Sequence, residues 1–349
     1  MKKILFAIIA FAAIFNSCST DFDLTAKYKE VMVVYGLLNI QDTEHYIRIE
    51  KAFLDESTSA LLISQNPDSI YYEPGLEVII RQLNSSGGED GVLYLERVNG
   101  DTLGMPKDSG IFANSPNILY RFKTPDSLKE DHSYQLEINN PATGKSVRSQ
   151  TPLVNDFQFL FPSSTTPWNP ASPTPLTVQW RSAKNGKVYD LIVRFHYEEW
   201  DKVTPNIRDP KFIDLVLARN IEAPNLEGGS NIQLPLSGEA FYLAVKSKIP
   251  VNPLVNREVV FPTFDFLVNV GGEELYNYIR VNQSQLGITS QSAVTTYTNI
   301  ENGLGIFSSR YFKVQSGIDM HPNGIDTLAC GHITLGLGFL DAQSQDFCQ

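Results

Sequence analysis

The chain of 349 residues carries 39 acidic against 28 basic side chains, a formal charge of −11. Phosphate backbones repel such a balance, and no basic, aromatic-interleaved stretch offsets it, which argues against nucleic-acid binding. An apolar content of 42% with 20 Phe and 15 Tyr argues against a disordered chain and for a folded, aromatic-rich body, large enough for one large or two ordinary domains.

Lys2 and Lys3 precede an unbroken apolar run, Ile4 to Phe15, which stops at Asn16-Ser17-Cys18. That run is too short for a membrane-spanning helix, which needs about 20 residues. A basic start, a short apolar core and small residues before a cut describe a secretory signal. Phe15-Asn16-Ser17-Cys18 resembles the cleavage box of a bacterial lipoprotein signal, with Phe15 standing where that box usually has Leu. The resemblance implies a signal peptide over 1–17, an acylated Cys18 as the first mature residue, and a tether over 18–30. Several acyl chains, palmitate among them, anchor stably where one is marginal. Ser19 after the cysteine implies the outer rather than the inner membrane. Asp21 and Asp23 resemble the acidic export signal of surface lipoproteins in Bacteroidota; the periplasmic and cell-surface faces both stay open.

With Cys18 lipidated, two of the three cysteines remain, Cys330 and Cys348. An oxidising compartment lets them pair. The bridge would close a loop of about 19 residues and stabilise by roughly 3 kcal/mol in the chain-entropy model. Two free thiols are the alternative. No Cys-x-x-Cys spacing occurs and only His332 lies nearby, so neither a metal site nor a cofactor is expected.

Beyond the tether, apolar runs are short and strand-like. Segments 31–38 and 45–53 flank the polar turn 39–42, and in the second His45, Ile47 and Ile49 alternate against Tyr46, Arg48 and Glu50. Segments 76–83 and 91–98 flank Asn84-Ser85-Ser86-Gly87-Gly88, a hairpin loop. Segments 118–124, 133–140 and 145–154 complete about seven strands, predicting an immunoglobulin-like antiparallel sandwich over 31–155. A Pro-rich linker is predicted over 156–175, where Trp168 is a candidate sugar-stacking aromatic. Residues 176–349 predict a second β-rich, sandwich-like domain. Its strands are read at 176–182, 187–200, 212–223, 239–249, 259–270 and 305–312. One helix is read at 271–285, where Leu275, Tyr278, Ile279 and Asn282 share a face.

VVYGLLNIQDTEHYIRIEKAF (33–53), KVYDLIVRFHYEEW (187–200) and TNIENGLGIFSS (298–309), with the lipoprotein start, resemble the family catalogued as domain of unknown function 4249. These are Bacteroidota outer-membrane lipoproteins. The resemblance covers most of the mature chain and rests on strand and turn patterns. Family members are often encoded beside TonB-dependent transporters, which implies an accessory or binding role there. No catalytic residues come with it.

Chemistry-bearing patterns are sparse. His45, His132, His196, His321 and His332 show no helical metal-pair spacing, and neither a nucleophile elbow nor a phosphate loop occurs. Glu198-Glu199 are adjacent on a strand and point to opposite faces, so they cannot grip one bond together; a solvated strand end is expected. Asn299, Asn302, Gly303 and Gly305 make either a tight turn or a candidate binding loop. The Asp-Ser/Thr-apolar triplets resemble an O-glycosylation acceptor of exported Bacteroidota proteins and place candidates at Ser69, Thr102, Ser127 and Thr327, all expected in loops.

The expectation is therefore a mainly β, non-enzymatic outer-membrane lipoprotein that binds a ligand or partner. A secreted glycan-active hydrolase and an envelope-structural adhesin are the rivals. Replacing the acylated residue, Cys18→Ser, should release the protein from membranes of cells that process the signal. Membrane partition unchanged by that substitution would contradict the lipoprotein reading.

Overall fold

The computed structural model describes residues 31–52, 60–284 and 296–345. It is mainly β. In chain order come β1 (Val31–Asn39), β2 (Glu44–Ala52), α1 (Ala60–Ser64), α2 (Pro67–Ile70), β3 (Glu77–Leu83), β4 (Glu89–Tyr94), β5 (Glu96–Asn99), β6 (Ile118–Lys123), β7 (Ser133–Asn140), β8 (Lys145–Pro152) and β9 (Phe159–Phe161). Then follow β10 (Leu176–Arg181), β11 (Val188–Asp201), β12 (Asp209–Glu222), β13 (Asn231–Leu236), α3 (Gly238–Lys248), β14 (Val255–Gly271), α4 (Glu273–Ser284), β15 (Leu304–Ile318) and α5 (Pro322–Cys330).

Three sheets form. The largest has eight strands in the order β12-β11-β14-β15-β1-β2-β6-β5; β4-β3-β7-β8 and β13-β10-β9 are the smaller two. The strands of 31–155 thus split between two sheets, as a sandwich requires. Val34, Ile47 and Ile49 from one and Ile80, Tyr134 and Leu136 from the other meet in a single buried cluster. Turn chemistry at the hairpin follows the sequence: the Asn84 side chain accepts from the backbone of Ser86 and Gly88 at 3.1 and 3.0 Å.

The large sheet does not stop at the Pro-rich segment. β1 pairs in parallel with β15, from Val33 opposite Leu304 to Asn39 opposite Arg310, and pairs antiparallel with β2 on its other side. Strands from before and after residues 156–175 therefore share one hydrogen-bonded sheet. Parallel neighbours can be far apart in sequence, and alternation within β1 says nothing about which partner it finds.

Two sequence expectations change in the second half. Segment 239–249, read as a strand, is the helix α3; its buried Phe241, Tyr242 and Val245 fall at i, i+1 and i+4, one helical face that strand alternation does not produce. Glu239 at its start and Lys246 and Lys248 at its end complement the helix dipole. With α4 and α5, the described residues of the second half hold three helices of nine or more residues rather than one. Trp168, read as a linker aromatic, is buried. Its ring lies 5.1 Å from Phe241, 4.9 Å from Phe264 and 5.9 Å from Phe266, and its backbone N–H donates to Asp319 at 2.8 Å. Residues 159–161 at the start of the predicted linker are an edge strand of the small sheet, β9; beyond Pro162 the Trp168 indole pins the segment to the core.

At the junction of β1 and β15 a backbone approach admits no side chain. Gly305 has φ +104°, and a Cβ there would stand 2.0 Å from the Val34 carbonyl oxygen. Gly305→Ala should therefore destabilise by well over 1 kcal/mol, read as a lowered urea midpoint. An unchanged midpoint would contradict this packing.

Candidate functional site

The outer face of the eight-stranded sheet is built by the residues that alternate away from the core. Along β11 the odd-numbered Tyr189 to Tyr197 are buried, so Asp190, Ile192, Arg194 and His196 point outward. Register then aligns them across strands. Val314 of β15 stands opposite Leu267 of β14, Leu267 opposite Ile192 of β11, and Ile192 opposite Val216 of β12. Directly opposite side chains sit about 4.5–5.5 Å apart, so these four form one apolar row across four strands. Phe312 follows two residues before Val314, and Phe212 lies two residues beyond Asp214. Phe312 and Phe212 are 45% and 55% exposed, and Val216 and Val314 are exposed too.

Charged groups frame the row. The Arg194 guanidinium donates to both oxygens of Asp214, at 2.7 and 2.9 Å, and stacks over the Phe212 ring at 4.2 Å. This fork holds the Asp214 carboxyl below the usual carboxylate range. His196 Nε2 lies 2.8 Å from Asp265 Oδ2. β12 is one edge strand of the sheet, 14 residues long, and Asp209, Lys211, Asp214, Arg219 and Glu222 interrupt its apolar residues.

Helix α4 lies over the same face further along. Tyr278 packs edge-on against Tyr35 of β1 at 6.4 Å, and burial, with the bond to Tyr278, pushes the Tyr35 phenol up to about 12. Burial also raises the Glu274 carboxyl above its ordinary range, although the Ser308 hydroxyl donates to it at 3.5 Å. Between helix and sheet is a cavity of about 450 Å³ lined by Leu37, Leu275, Ile279, Phe312, Asp190 and Arg310, among others. A second cavity, of about 430 Å³, opens among the Pro170–Pro175 segment, the start of α3 and the end of α5; Glu239 and His332 both line it.

The loop 298–305 is a stitched turn. The Asn299 side chain donates to the Phe307 carbonyl at 2.7 Å and accepts from its N–H at 3.0 Å. Glu301 and Arg148 exchange backbone hydrogen bonds at 2.7 and 3.4 Å, and Asn302 takes φ +60°. A Cβ at Gly303 would meet Ile300 and the Met32 carbonyl within 3 Å. Asn302 and Gly303 line a surface cavity with Lys145 and Val147, while Asn299 and Gly305 face the sheet junction.

Three of the four triplet hydroxyls are not in loops. Ser69 lies in α2, Thr102 in the 3-10 turn Gly100–Leu103, and Thr327 in α5. Asp68 and Asp101 occupy first helical turns, where a carboxylate meets the positive end of the dipole. The Thr102 and Thr327 hydroxyls each donate to a backbone carbonyl at 2.8 Å. Ser127 and Thr102 are exposed; Ser69 and Thr327 are half-buried. Cys330 is disulfide-bonded; Cys18 and Cys348 lie outside the described residues.

Histidines serve separate places. His45 is buried and stacked on Phe122 at 4.6 Å, with burial lowering its pKa. His132 meets Asp90 at 2.8 Å, and His321 Nδ1 caps α5 by accepting from Asn323. Among the described residues no group of three or more His, Cys, Asp or Glu side chains could hold a metal ion.

Glu198 and Glu199 do point apart, yet Glu199 is no solvated end. It accepts from Arg257 Nε at 2.8 Å and from Lys211 at 2.9 Å, and Arg257 is 1% exposed. The guanidinium also donates to the Leu337 carbonyl. Burial raises the Glu199 carboxyl, but its bonds to Lys211 and Arg257 outweigh that and leave it below the usual range. Sequence reading missed Arg257; its signal was a lone basic residue at a core-parity position of a strand.

No protein-family model matches the chain, and no curated protein matches it. Glu199→Ala should cost about 3–5 kcal/mol by stranding the buried guanidinium. Adding Arg257→Met should recover much of it, measured by urea unfolding. Because the folded carboxyl titrates low, its stabilisation is present above the unfolded pKa and fades as pH falls through the folded one. Acid should thus narrow the gap between the parent and Glu199→Ala; a gap constant with pH would contradict the pairing.

Proposed function

We propose that this chain is an outer-membrane lipoprotein, tethered through Cys18, that works as a non-enzymatic binding or accessory protein of a TonB-dependent transporter. The observation that supports binding is the part of the sheet's outer face beside α4, where Phe212, Val216, Phe312 and Val314 are exposed. Val314, Leu267, Ile192 and Val216 run across it in register, with Phe312 and Phe212 beside them. Exposed apolar patches framed by polar groups mark protein interaction surfaces. Arg194, stacked on Phe212 and forked onto Asp214, is the residue type that anchors such contacts. Resemblance of 33–53, 187–200 and 298–309 to transporter-associated lipoproteins supplies the partner class, and the signal-like start supplies the location. No helix among the described residues is long and apolar enough to cross a membrane, so a lipid anchor is the attachment this reading uses.

Val216→Asp and Val314→Asp alter exposed positions and should leave the fold intact. Combined in the native lipoprotein, they should cut recovery of the transporter from detergent-solubilised membranes by tenfold or more. Undiminished recovery would contradict the reading, as would turnover of a glycan or ester by the purified protein that a single substitution at Glu239 or His332 abolishes.

A further inference from the structure

We infer that the fold makes a second contact with the anchoring membrane, through a basic cup and an adjoining apolar knuckle that take lipid headgroup phosphates and acyl-chain boundary respectively. The inference rests on the membrane-anchored reading above for its orientation. It stands on different residues from the sheet-face patch.

The cup is a cavity of about 510 Å³ at the start of β1, lined by Arg48, Lys51, Lys107, Glu50, Tyr35 and Phe112 among others. Arg48 and Lys107 meet one carboxylate there, in a chain whose formal charge is −11, and Lys51 stands at the rim shared with the neighbouring cavity at Tyr72. Glu50 is 3.6 Å from Arg48 and 3.8 Å from Lys107 and offsets one of the three charges. Each cation is held in place. Lys51 donates to the Asp68 carbonyl at 2.8 Å and lies 5.6 Å from the Tyr72 ring centroid. Lys107 donates to the Tyr71 hydroxyl at 3.2 Å and sits 5.5 Å from that ring. Arg48 donates to Asn117 at 3.0 Å. An ammonium has three donors, so both lysines keep capacity for an anion.

Beside the cup, apolar side chains project. Phe112 lines it, and the neighbouring Ile111 is 63% exposed. The end of α1 is bonded to this same loop: Ser64 Oγ donates to the Ile111 carbonyl at 3.1 Å, and Ala113 N–H donates to the Ser64 carbonyl at 2.9 Å. One turn back on α1 stand Leu61 and Leu62, the latter 65% exposed. Four large apolar side chains from two segments thus gather next to three cations. That pairing of apolar tips with basic neighbours is the chemistry of a bilayer interface.

Two observations select a membrane as the occupant. The first is charge. An acidic protein is repelled by an anionic leaflet, but screening over about 8–10 Å makes the local patch decide, and here it is basic. The second is position. Val31 pairs directly with Ala52, and Ala52 and Lys51 both line the cup, so the tether enters the fold at its rim. Cys18 precedes Val31 by thirteen residues, a reach of at most ~45 Å at about 3.3–3.6 Å per residue.

The test uses the mature chain carrying Cys18→Ser, so that no acyl group contributes, and vesicles of phosphatidylcholine with or without phosphatidylglycerol. Cosedimentation is expected with the anionic vesicles and is expected to fall as salt rises. Lys51→Gln with Lys107→Gln should weaken it about 30-fold, at roughly 1 kcal/mol per basic residue. Lys107→Arg should retain it. Leu62→Ser with Phe112→Ser, at exposed sites, should weaken it without altering the unfolding midpoint. Equal binding to neutral vesicles, no binding, or binding unmoved by either pair would overturn the inference. Binding of inorganic phosphate by the lysine cup without vesicle binding would overturn it too, by making a soluble anion the ligand. Since the chain tested has no acyl group, these outcomes are independent of whether Cys18 is acylated in cells.

Discussion

The parallel pairing of β1 with β15 is the contact on which the architecture depends. A strand near one end of the described chain is inserted between β15 and β2, and everything on either side takes its register from it. The chain reaches this pairing through two local devices. Gly305 lets the backbone of β15 close on the Val34 carbonyl, and Asn299 clamps Phe307 from both sides of its peptide unit. Loop-closure entropy makes so distant a pairing costly to form, so these devices sit where the sheet halves meet.

Once the eight-stranded sheet is continuous, its two faces acquire different fates. The inner face carries the aromatic cluster of Trp168, Phe195, Phe241, Phe264, Phe266 and Phe339, in mostly edge or tilted contacts near 5–6 Å. Such pairs add about 0.5–1.5 kcal/mol each beyond area burial. At the end of that face, where β11 and β14 run past the aromatics, Arg257 ties Glu199 to the Leu337 carbonyl and so fastens the segment after α5 to the sheet. On the outer face, Phe212 and Val216 of β12 and Phe312 and Val314 of β15 stay exposed among the described residues. Its apolar row lies there among the charges of Arg194, Asp214 and Asp265.

Legibility from sequence followed period. β2 and β11 alternate cleanly and were readable as strands, and the Asn84 turn was readable from its side chain. α3 was not, because Phe241, Tyr242 and Val245 form a short apolar run in which strand and helix periods overlap; Glu239 and the two terminal lysines were the signal that separates them. Trp168 was misplaced because proline content describes a backbone and says nothing of where an indole docks. The outer row was invisible for a stronger reason. Val314, Leu267, Ile192 and Val216 come from four strands, and only register brings them together. The basic cup likewise joins Arg48, Lys51 and Lys107 across a loop that no spacing rule connects.

Native-state hydrogen exchange under rising urea tests the central pairing most directly. If β1 and β15 are held by one another, the amides of 33–39 and 304–310 lose protection in a single opening, with the same free energy and the same urea dependence. Amides of 33–39 that open together with the rest of 31–155, at lower urea than those of 304–310, would contradict the account.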